Sequence, residues 1–199
     1  MFLLGLIPRR WQLLACFSVT TASFQLIAGW VWSIMQIMTA SAVSQLVYLL
    51  DEAFQGTDWH SLLGNLHSVT PEDWLWVPSG GQRSIRDIVQ HVGGCKFMYH
   101  NHAFSDAQLT WDDPLVDGLE ALSTSTEALG WLREGHARLR QSIAALDDAE
   151  LLRLRMTNWG ELKETRWIIA VMIQHDLYHA GEINHIRSLR HQTDQWQYV

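Results

Sequence analysis

Residues 164–190 have the sequence ETRWIIAVMIQHDLYHAGEINHIRSLR, and this segment indicates the fold class most clearly. Its apolar residues recur every three or four positions, the spacing that places side chains on one face of an α-helix. The members of this stripe are Ile168, Met172, Ile183, Ile186 and Leu189. The sequence therefore predicts one core helix of about seven turns from Glu164 to Arg190.

Two histidines, His175 and His179, interrupt this apolar face one helical turn apart. Side chains four positions apart project from the same side of a helix. A buried polar ring without a partner costs about 1 to 3 kcal/mol, and one divalent metal ion would satisfy both rings at once. The alternative is that each ring is a hydrogen-bonded core histidine, but the paired spacing favours the metal.

Three further amphipathic stretches precede this helix. They span about Ser41 to Phe54, a region that starts at Ser84 with Asp87 as its capping partner, and about Thr124 to Leu146. No run of alternating β-branched residues is long enough to build a sheet. With connections of about 28, 20 and 17 residues, the pattern predicts an all-α four-helix bundle with at least one crossover.

The second helix brings another histidine to the margin of its apolar face. His91 lies about 60° from Ile88 on a helical projection and shares a stripe with Cys95, Met98 and His102. Together with the pair on the fourth helix, His91 would complete a three-histidine site with one position open for water or substrate. That pattern is typical of catalytic rather than structural zinc, and imidazole donors suit nickel or iron similarly.

Several other residues are weaker candidates. Glu182, beyond His179 on the same helix, can orient a ligand or act as a base. Cys95 can bind the metal or simply pack, and His136 can support the site or be a satisfied core histidine. His102 can line the mouth of the site. We expect the remaining histidines on the surface or in loops, and the tryptophans to pack rather than to bind a cofactor.

Composition limits the class of protein and its partners. The chain has 199 residues and a net charge of −7, which fits one compact domain plus an appendage and argues against a surface that binds nucleic acid. A small-molecule substrate is the expected partner. Only two cysteines are present, so there is no disulfide framework, and we expect a reducing, cytoplasmic compartment.

The chain divides by charge near residue 39. The hydrophobic segment 1–38 contains no acidic residue, whereas 39–199 carries the four amphipathic stretches. Residues 11–32 are about long enough to cross a bilayer, although polar residues interrupt them. Three interpretations stay open: a single-pass membrane anchor through these residues, a docking helix, or a functional chain that begins at Met35 or Met38. The last is slightly favoured.

The fourth helix carries a second apolar face. Ile173 and Leu177 lie nearly opposite the paired histidines, and apolar groups there need burial of their own. A homodimer would provide it, and so would packing against the N-terminal segment.

Three sequence segments in this order resemble those of the DinB-like, or DinB/YfiT, metalloproteins. They are SIRDIVQHVGGCKFMYH at 84–100, NWG at 158–160 and IIAVMIQHDLYHAGEINHIRSL at 168–189, and the likeness covers roughly residues 41–192. It implies an up-down-down-up four-helix bundle with a long crossover. It also implies that one histidine of the second helix and a His-x-x-x-His of the last bind the metal, which assigns His91, His175 and His179.

The same resemblance carries an expectation about activity. It implies a divalent metal, often nickel or zinc, and in characterised branches transfer or isomerisation chemistry that uses a low-molecular-weight thiol. Iron and manganese stay as alternative metals. We therefore expect a metal-dependent enzyme of thiol S-transfer or hydrolysis on small molecules. The alternative is a metal-stabilised structural or stress-response protein without turnover.

Overall fold

The computed structural model describes residues 41–118 and 121–195, and most of these residues are helical. The helices are α1 (Ala42–Gln55), α2 (Leu62–Leu66), α3 (Pro71–Leu75), α4 (Ile85–Phe104), α5 (Pro114–Asp117), α6 (Ser125–Ala144) and α7 (Thr165–His191). Two 3₁₀ turns lie at Ala121–Ser123 and Asp148–Leu152. Strands β1 (Leu154–Met156) and β2 (Leu162–Glu164) form an antiparallel hairpin with Arg155 opposite Lys163.

Side-chain caps start three of the four long helices. The hydroxyl groups of Ser41, Ser84 and Thr124 each accept a hydrogen bond from the backbone N–H three residues later. At α4 the carboxylate of Asp87 accepts in return from the backbone N–H of Ser84, which completes a capping box. The predicted helix starts are therefore confirmed to within a residue.

The last helix starts differently, directly after the β-hairpin. Glu164 precedes α7 and makes no side-chain capping bond. The hairpin turn is held by Thr157, whose N–H and hydroxyl both donate to the carbonyl of Glu161, and Gly160 adopts a positive φ of 86°. Strands of three residues are too short to leave a periodic signal, so the sequence predicted only a loop here.

Contacts between α1 and α6 show that these two helices run antiparallel. Asp51 of α1 pairs with Arg140 of α6, whereas Phe54, later in α1, stacks on His136, earlier in α6. The side chains thus meet in reverse order along the two helices.

In contrast, α6 runs parallel to α4. The ring of Trp131 lies where a Cβ atom on Gly93 would come within 2.1 Å of it, so this crossing requires glycine. One turn further along both helices, Phe97 contacts Gly135. The connection through residues 105–124 must therefore return along the bundle, which is the predicted crossover.

The fourth long helix, α7, runs antiparallel to α4. Lys96 of α4 pairs with Asp176 of α7, and Arg83, just before α4, pairs with Glu182, later in α7. The directions of the four long helices are up, down, down and up, as the resemblance implied.

The core fills the space between these helices as the apolar stripes predicted, with one exception. Ile168, Met172, Ile183 and Ile186 are buried, but Leu189 is 46% exposed. The assignment of Leu189 to the core is therefore wrong: it lies in the last turn of α7, beside a cavity described below.

Several predictions fall on residues outside the described part of the chain. They are the domain boundary near residue 39, the extra N-terminal helix within 1–38 and a membrane anchor at 11–32. Within the described ranges, none of the helices combines the length and apolar character needed to cross a membrane. Leu177 is 44% exposed, and its burial against a second copy stays a prediction.

Candidate metal centre

Three histidines from two helices meet in the seam between α4 and α7. The ring of His91 lies 5.0 Å from those of both His175 and His179, measured between centroids, and the latter two are 4.5 Å apart. The four-residue spacing of the pair on α7 and the position of His91 at the margin of the apolar face of α4 bring the three rings together. That they bind a metal stays a prediction.

The closest contact joins His91 and His175. Their Nε2 atoms are 3.0 Å apart, so one ring must donate and the other accept if no ion lies between them. Two nitrogen ligands of a tetrahedral zinc at about 2.0 to 2.1 Å are about 3.3 Å apart. The observed separation therefore suits a shared ion with little movement.

Cys95 adds a sulfur donor to this pair. Its Sγ lies 3.9 Å from each ring nitrogen of His91, and the donor atoms of His91, Cys95 and His175 all lie within 4.8 Å of one another. This group could hold a metal ion. From sequence alone Cys95 was the weaker candidate, because a buried free cysteine usually packs.

Glu182 and Arg83 orient the imidazole of His179 through consecutive hydrogen bonds. Nδ1 of His179 lies 2.8 Å from Glu182 Oε2, and Glu182 Oε1 accepts from Arg83 Nη2 at 2.6 Å. A carboxylate only accepts, so Nδ1 of His179 carries the proton and Nε2 presents a lone pair. Sequence spacing gave no signal for Arg83, which is 99 residues from Glu182.

The pKa values of all three imidazoles are lowered, which favours the uncharged form at neutral pH. Burial lowers the pKa of His175 to about 3, with His179 and His91 adding to the decrease. Burial also lowers the pKa values of His91 and His179, although the carboxylate of Glu182 opposes the change in both. Neutral rings are the form that binds metals.

The thiol in the same cluster behaves in the opposite way. Burial raises the pKa of Cys95 to about 12, so the thiol is protonated at neutral pH in the absence of a cation. A bound metal would be needed to release its proton.

Comparison with known families agrees with this geometry. A family model described as the DinB superfamily matches residues 56–183. The chain belongs to the DinB superfamily. The match covers the three histidines, Cys95 and Glu182, whereas comparison with curated proteins finds no similar sequence.

In this member of the DinB superfamily, a buried ion pair lies directly beside the candidate ligands. Nζ of Lys96 is 2.7 Å from both carboxylate oxygens of Asp176, and each side chain is only 1% exposed. Lys96 follows Cys95 in α4, and Asp176 follows His175 in α7. The pair therefore joins the two ligand-bearing helices at the level of the site.

Two other candidate histidines lie away from the centre. His136 stacks on Phe54 with ring centroids 3.7 Å apart and has its Nε2 3.5 Å from Asp51 Oδ1. His102 contacts the backbone carbonyl of Leu109 at 3.0 Å, which ties it to a loop instead of the mouth of the site. Neither makes a contact with the three clustered rings.

An aromatic cluster follows the site along the same seam. Tyr99, one turn beyond Cys95, lies 5.7 Å from Trp159 of the hairpin turn, and Trp159 lies 6.1 Å from Trp167 of α7. Both tryptophans are exposed, at 45% and 40%. The expectation that the tryptophans pack thus holds only partly for these two, whose rings meet each other at the surface.

Proposed function

We propose that this protein is a divalent-metal-dependent enzyme that acts on small molecules by thiol S-transfer or hydrolysis. One observation carries the proposal: three imidazoles lie together, with a thiol beside His91, and His91 is exposed to solvent. A metal held there would be reachable from outside, as a catalytic site requires.

The proposed ligands are His91, His175 and His179. The orientation of His179 by Glu182 supports its role, because metal-binding histidines usually donate their other N–H to a carboxylate or carbonyl. The donor atoms of Cys95, His91 and His175 lie within 4.8 Å of one another, so we include Cys95 as a further candidate donor. Nitrogen and sulfur donors favour zinc or nickel, with iron and manganese as the remaining alternatives.

A bound divalent metal would supply charge that lowers the pKa of a thiol or water at its open position. The residues of this chain would hold and shape that position. Both oxygens of Glu182 are engaged, one by His179 and one by Arg83, which favours a positioning role for this carboxylate over that of a free base.

The same seam supports a second candidate, a metal-stabilised protein without turnover. The observation that favours it is the location of the centre between α4 and α7, next to the buried Lys96–Asp176 pair. A metal there would join two long helices and stabilise the fold by binding only to the folded state.

Metal analysis of the full chain tests metal binding, which both candidate functions require. We expect about one equivalent of zinc or nickel after supplementation and dialysis, and a large loss in His91→Ala, His175→Ala and His179→Ala. His60→Ala, in a loop and exposed, is the control that should keep the metal. Less than about a tenth of an equivalent in the unsubstituted protein would refute the centre.

Activity measurements then separate the two candidates. The metal-loaded protein is assayed for conjugation of a panel of low-molecular-weight thiols to 1-chloro-2,4-dinitrobenzene and for hydrolysis of p-nitrophenyl acetate. Turnover that disappears in His175→Ala and persists in His60→Ala supports the enzyme. Stoichiometric metal without turnover, together with a lower melting temperature after chelation, supports the structural alternative.

A further inference from the structure

A cavity of about 390 Å³ lies beside the candidate metal centre, between the loop before α4 and the last turns of α7. This volume is near the lower end of the range for small-molecule sites. The residues of its wall that matter here are Pro78, Arg83, Glu182, His185, Ile186 and Leu189. Neither the family match nor the ligand set assigns a role to it.

Arg83 gives the cavity a positive group with spare donors. Its Nη2 donates to Glu182, and its Nε and Nη1 have no hydrogen-bond partner among the described residues. The side chain is 41% exposed, so these donors are accessible. A guanidinium has five N–H donors in a planar fork that matches a carboxylate.

Part of the wall is apolar. Ile186 is buried, whereas Leu189 is 46% exposed although it belongs to the apolar stripe of α7. Pro78 of the loop adds a further apolar surface. A cavity with polar groups at Arg83 and Glu182 and apolar surface at Ile186, Leu189 and Pro78 suits an amphiphilic ligand with a single polar end.

The charged groups of the cavity limit the class of ligand further. The carboxylate of Glu182 also lines the cavity and would repel a dianion such as phosphate more strongly than a monocarboxylate. A monocarboxylate can accept hydrogen bonds from the N–H groups of Arg83 that Glu182 does not use. His185 is exposed at the wall and can donate an additional N–H.

We propose that this cavity binds the carboxylate of a small, apolar monocarboxylic acid, with Arg83 as its partner. Glu182 contacts both Arg83 and His179, so the bound acid lies about one helical turn from the metal centre. The acid is then the substrate class of the proposed enzyme. Only this last step rests on the proposed function.

Calorimetric titration of the full chain, as purified and after chelation, tests the cavity directly. The probes are 4-phenylbutyrate and its neutral counterpart 4-phenylbutanamide. We expect the acid to bind at least about tenfold more tightly than the amide, since only the acid forms a charge-assisted pair. Equal affinities, or tighter binding of inorganic phosphate, would overturn the assignment.

Two sets of variants locate the binding. Arg83→Met should weaken binding of the acid at least about tenfold, whereas Arg166→Met, which removes an exposed arginine that also pairs with a glutamate at 2.6 Å, should not. Leu189→Asp should weaken it by repulsion while Leu189→Asn retains most of it, and both changes are at an exposed position. Unchanged binding in Arg83→Met and Leu189→Asp contradicts the proposal.

This design separates failure of the cavity from failure of the metal centre. Acid binding in the chelated protein without any metal uptake refutes the proposed function and supports the cavity. Metal uptake without a preference for the acid over the amide supports the metal centre and refutes the assignment of the cavity.

Discussion

Two seams of the bundle bury histidine, and they do so in different ways. The α1–α6 seam contains Asp51, Phe54, His136 and Arg140, and the α4–α7 seam contains the three clustered imidazoles. Each seam joins two antiparallel helices.

In the α1–α6 seam a single imidazole is accommodated as a neutral aromatic ring. His136 lies nearly parallel to Phe54, at 6°, and burial lowers its pKa to about 3. Its Nε2 is 3.5 Å from Asp51, and neither ring nitrogen makes a hydrogen bond to another described residue. The carboxylate of Asp51 is instead held by two nitrogens of Arg140.

The α4–α7 seam has three clustered imidazoles with the thiol of Cys95 beside His91, and its nearest carboxylates already have partners. Asp176 is bound by Lys96, and Glu182 by Arg83 and His179. Stacking on Phe54 accommodates the single ring of His136, whereas several nitrogen and sulfur donors close together could share a cation. Convergence of donors, more than burial of a histidine, therefore marks a candidate metal site.

The largest effect should come from Lys96, which lies between the two seams. Its Nζ contacts Asp176 and lies 4.8 Å from the Phe54 ring. Lys96→Met should lower the free energy of unfolding by about 3 to 5 kcal/mol, because Asp176 is left buried and unpaired. Urea denaturation of the metal-free protein measures this change.

Two controls accompany the Lys96 variant. The double variant Lys96→Met with Asp176→Leu should recover most of the loss, because no buried charge remains. Arg138→Met, which breaks an exposed pair with Glu134, should cost less than about 1 kcal/mol. A Lys96→Met protein as stable as Arg138→Met would show that the buried pair contributes nothing.

The contrast between the seams predicts different effects on metal binding. His175→Ala should weaken zinc binding by about 100-fold or more, since loss of a ligand exceeds the 10- to 100-fold typical of outer partners. His136→Ala should leave zinc affinity unchanged. Competition with a chromophoric chelator measures both, and equal losses in the two variants would erase the distinction.

Acid sensitivity offers a third measurement, centred on His136. The unfolded chain binds a proton near pH 6.5, whereas the folded chain does so only near pH 3, so stability falls as pH drops below 6.5. His136→Phe should remove about 1.4 kcal/mol per pH unit from this decline, or about 2 kcal/mol by pH 5. An unaltered slope in denaturation at pH 7.5, 6 and 5 would place the titration elsewhere.

The smallest expected effect is on zinc affinity, after removal of the charge from a carboxylate that lies next to a histidine in each seam. Glu182→Gln should weaken zinc binding by about tenfold, because it removes the charge that supports His179. Asp51→Asn, the corresponding change in the α1–α6 seam, should leave zinc affinity unchanged. A Glu182→Gln protein with full affinity would argue that His179 does not bind the metal.

Local patterns account for the part of the structure that could be predicted. The caps at Ser41, Ser84 and Thr124 and the apolar stripes specify four helices, and the four-residue spacing of His175 and His179 specifies a shared face. These signals depend only on neighbours within one or two turns.

The features that escaped prediction depend on contacts between distant segments. Lys96 would be assigned to the surface from its type, and only the fold shows Asp176 opposite it. Arg83 reaches Glu182 from a loop whose path the sequence does not specify. Leu189 has the correct period for the core, but the neighbouring loop leaves a cavity there.

The parallel arrangement of α4 and α6 has a consequence for how the chain matures. His91 and His175 are 84 positions apart, and the crossover and all of α6 lie between them. Closing so long an intervening segment is entropically costly. The histidine of α4 and the two histidines of α7 therefore come together only late in folding. Capture of an ion would thus be a late event, and retained metal would report that the whole bundle has assembled.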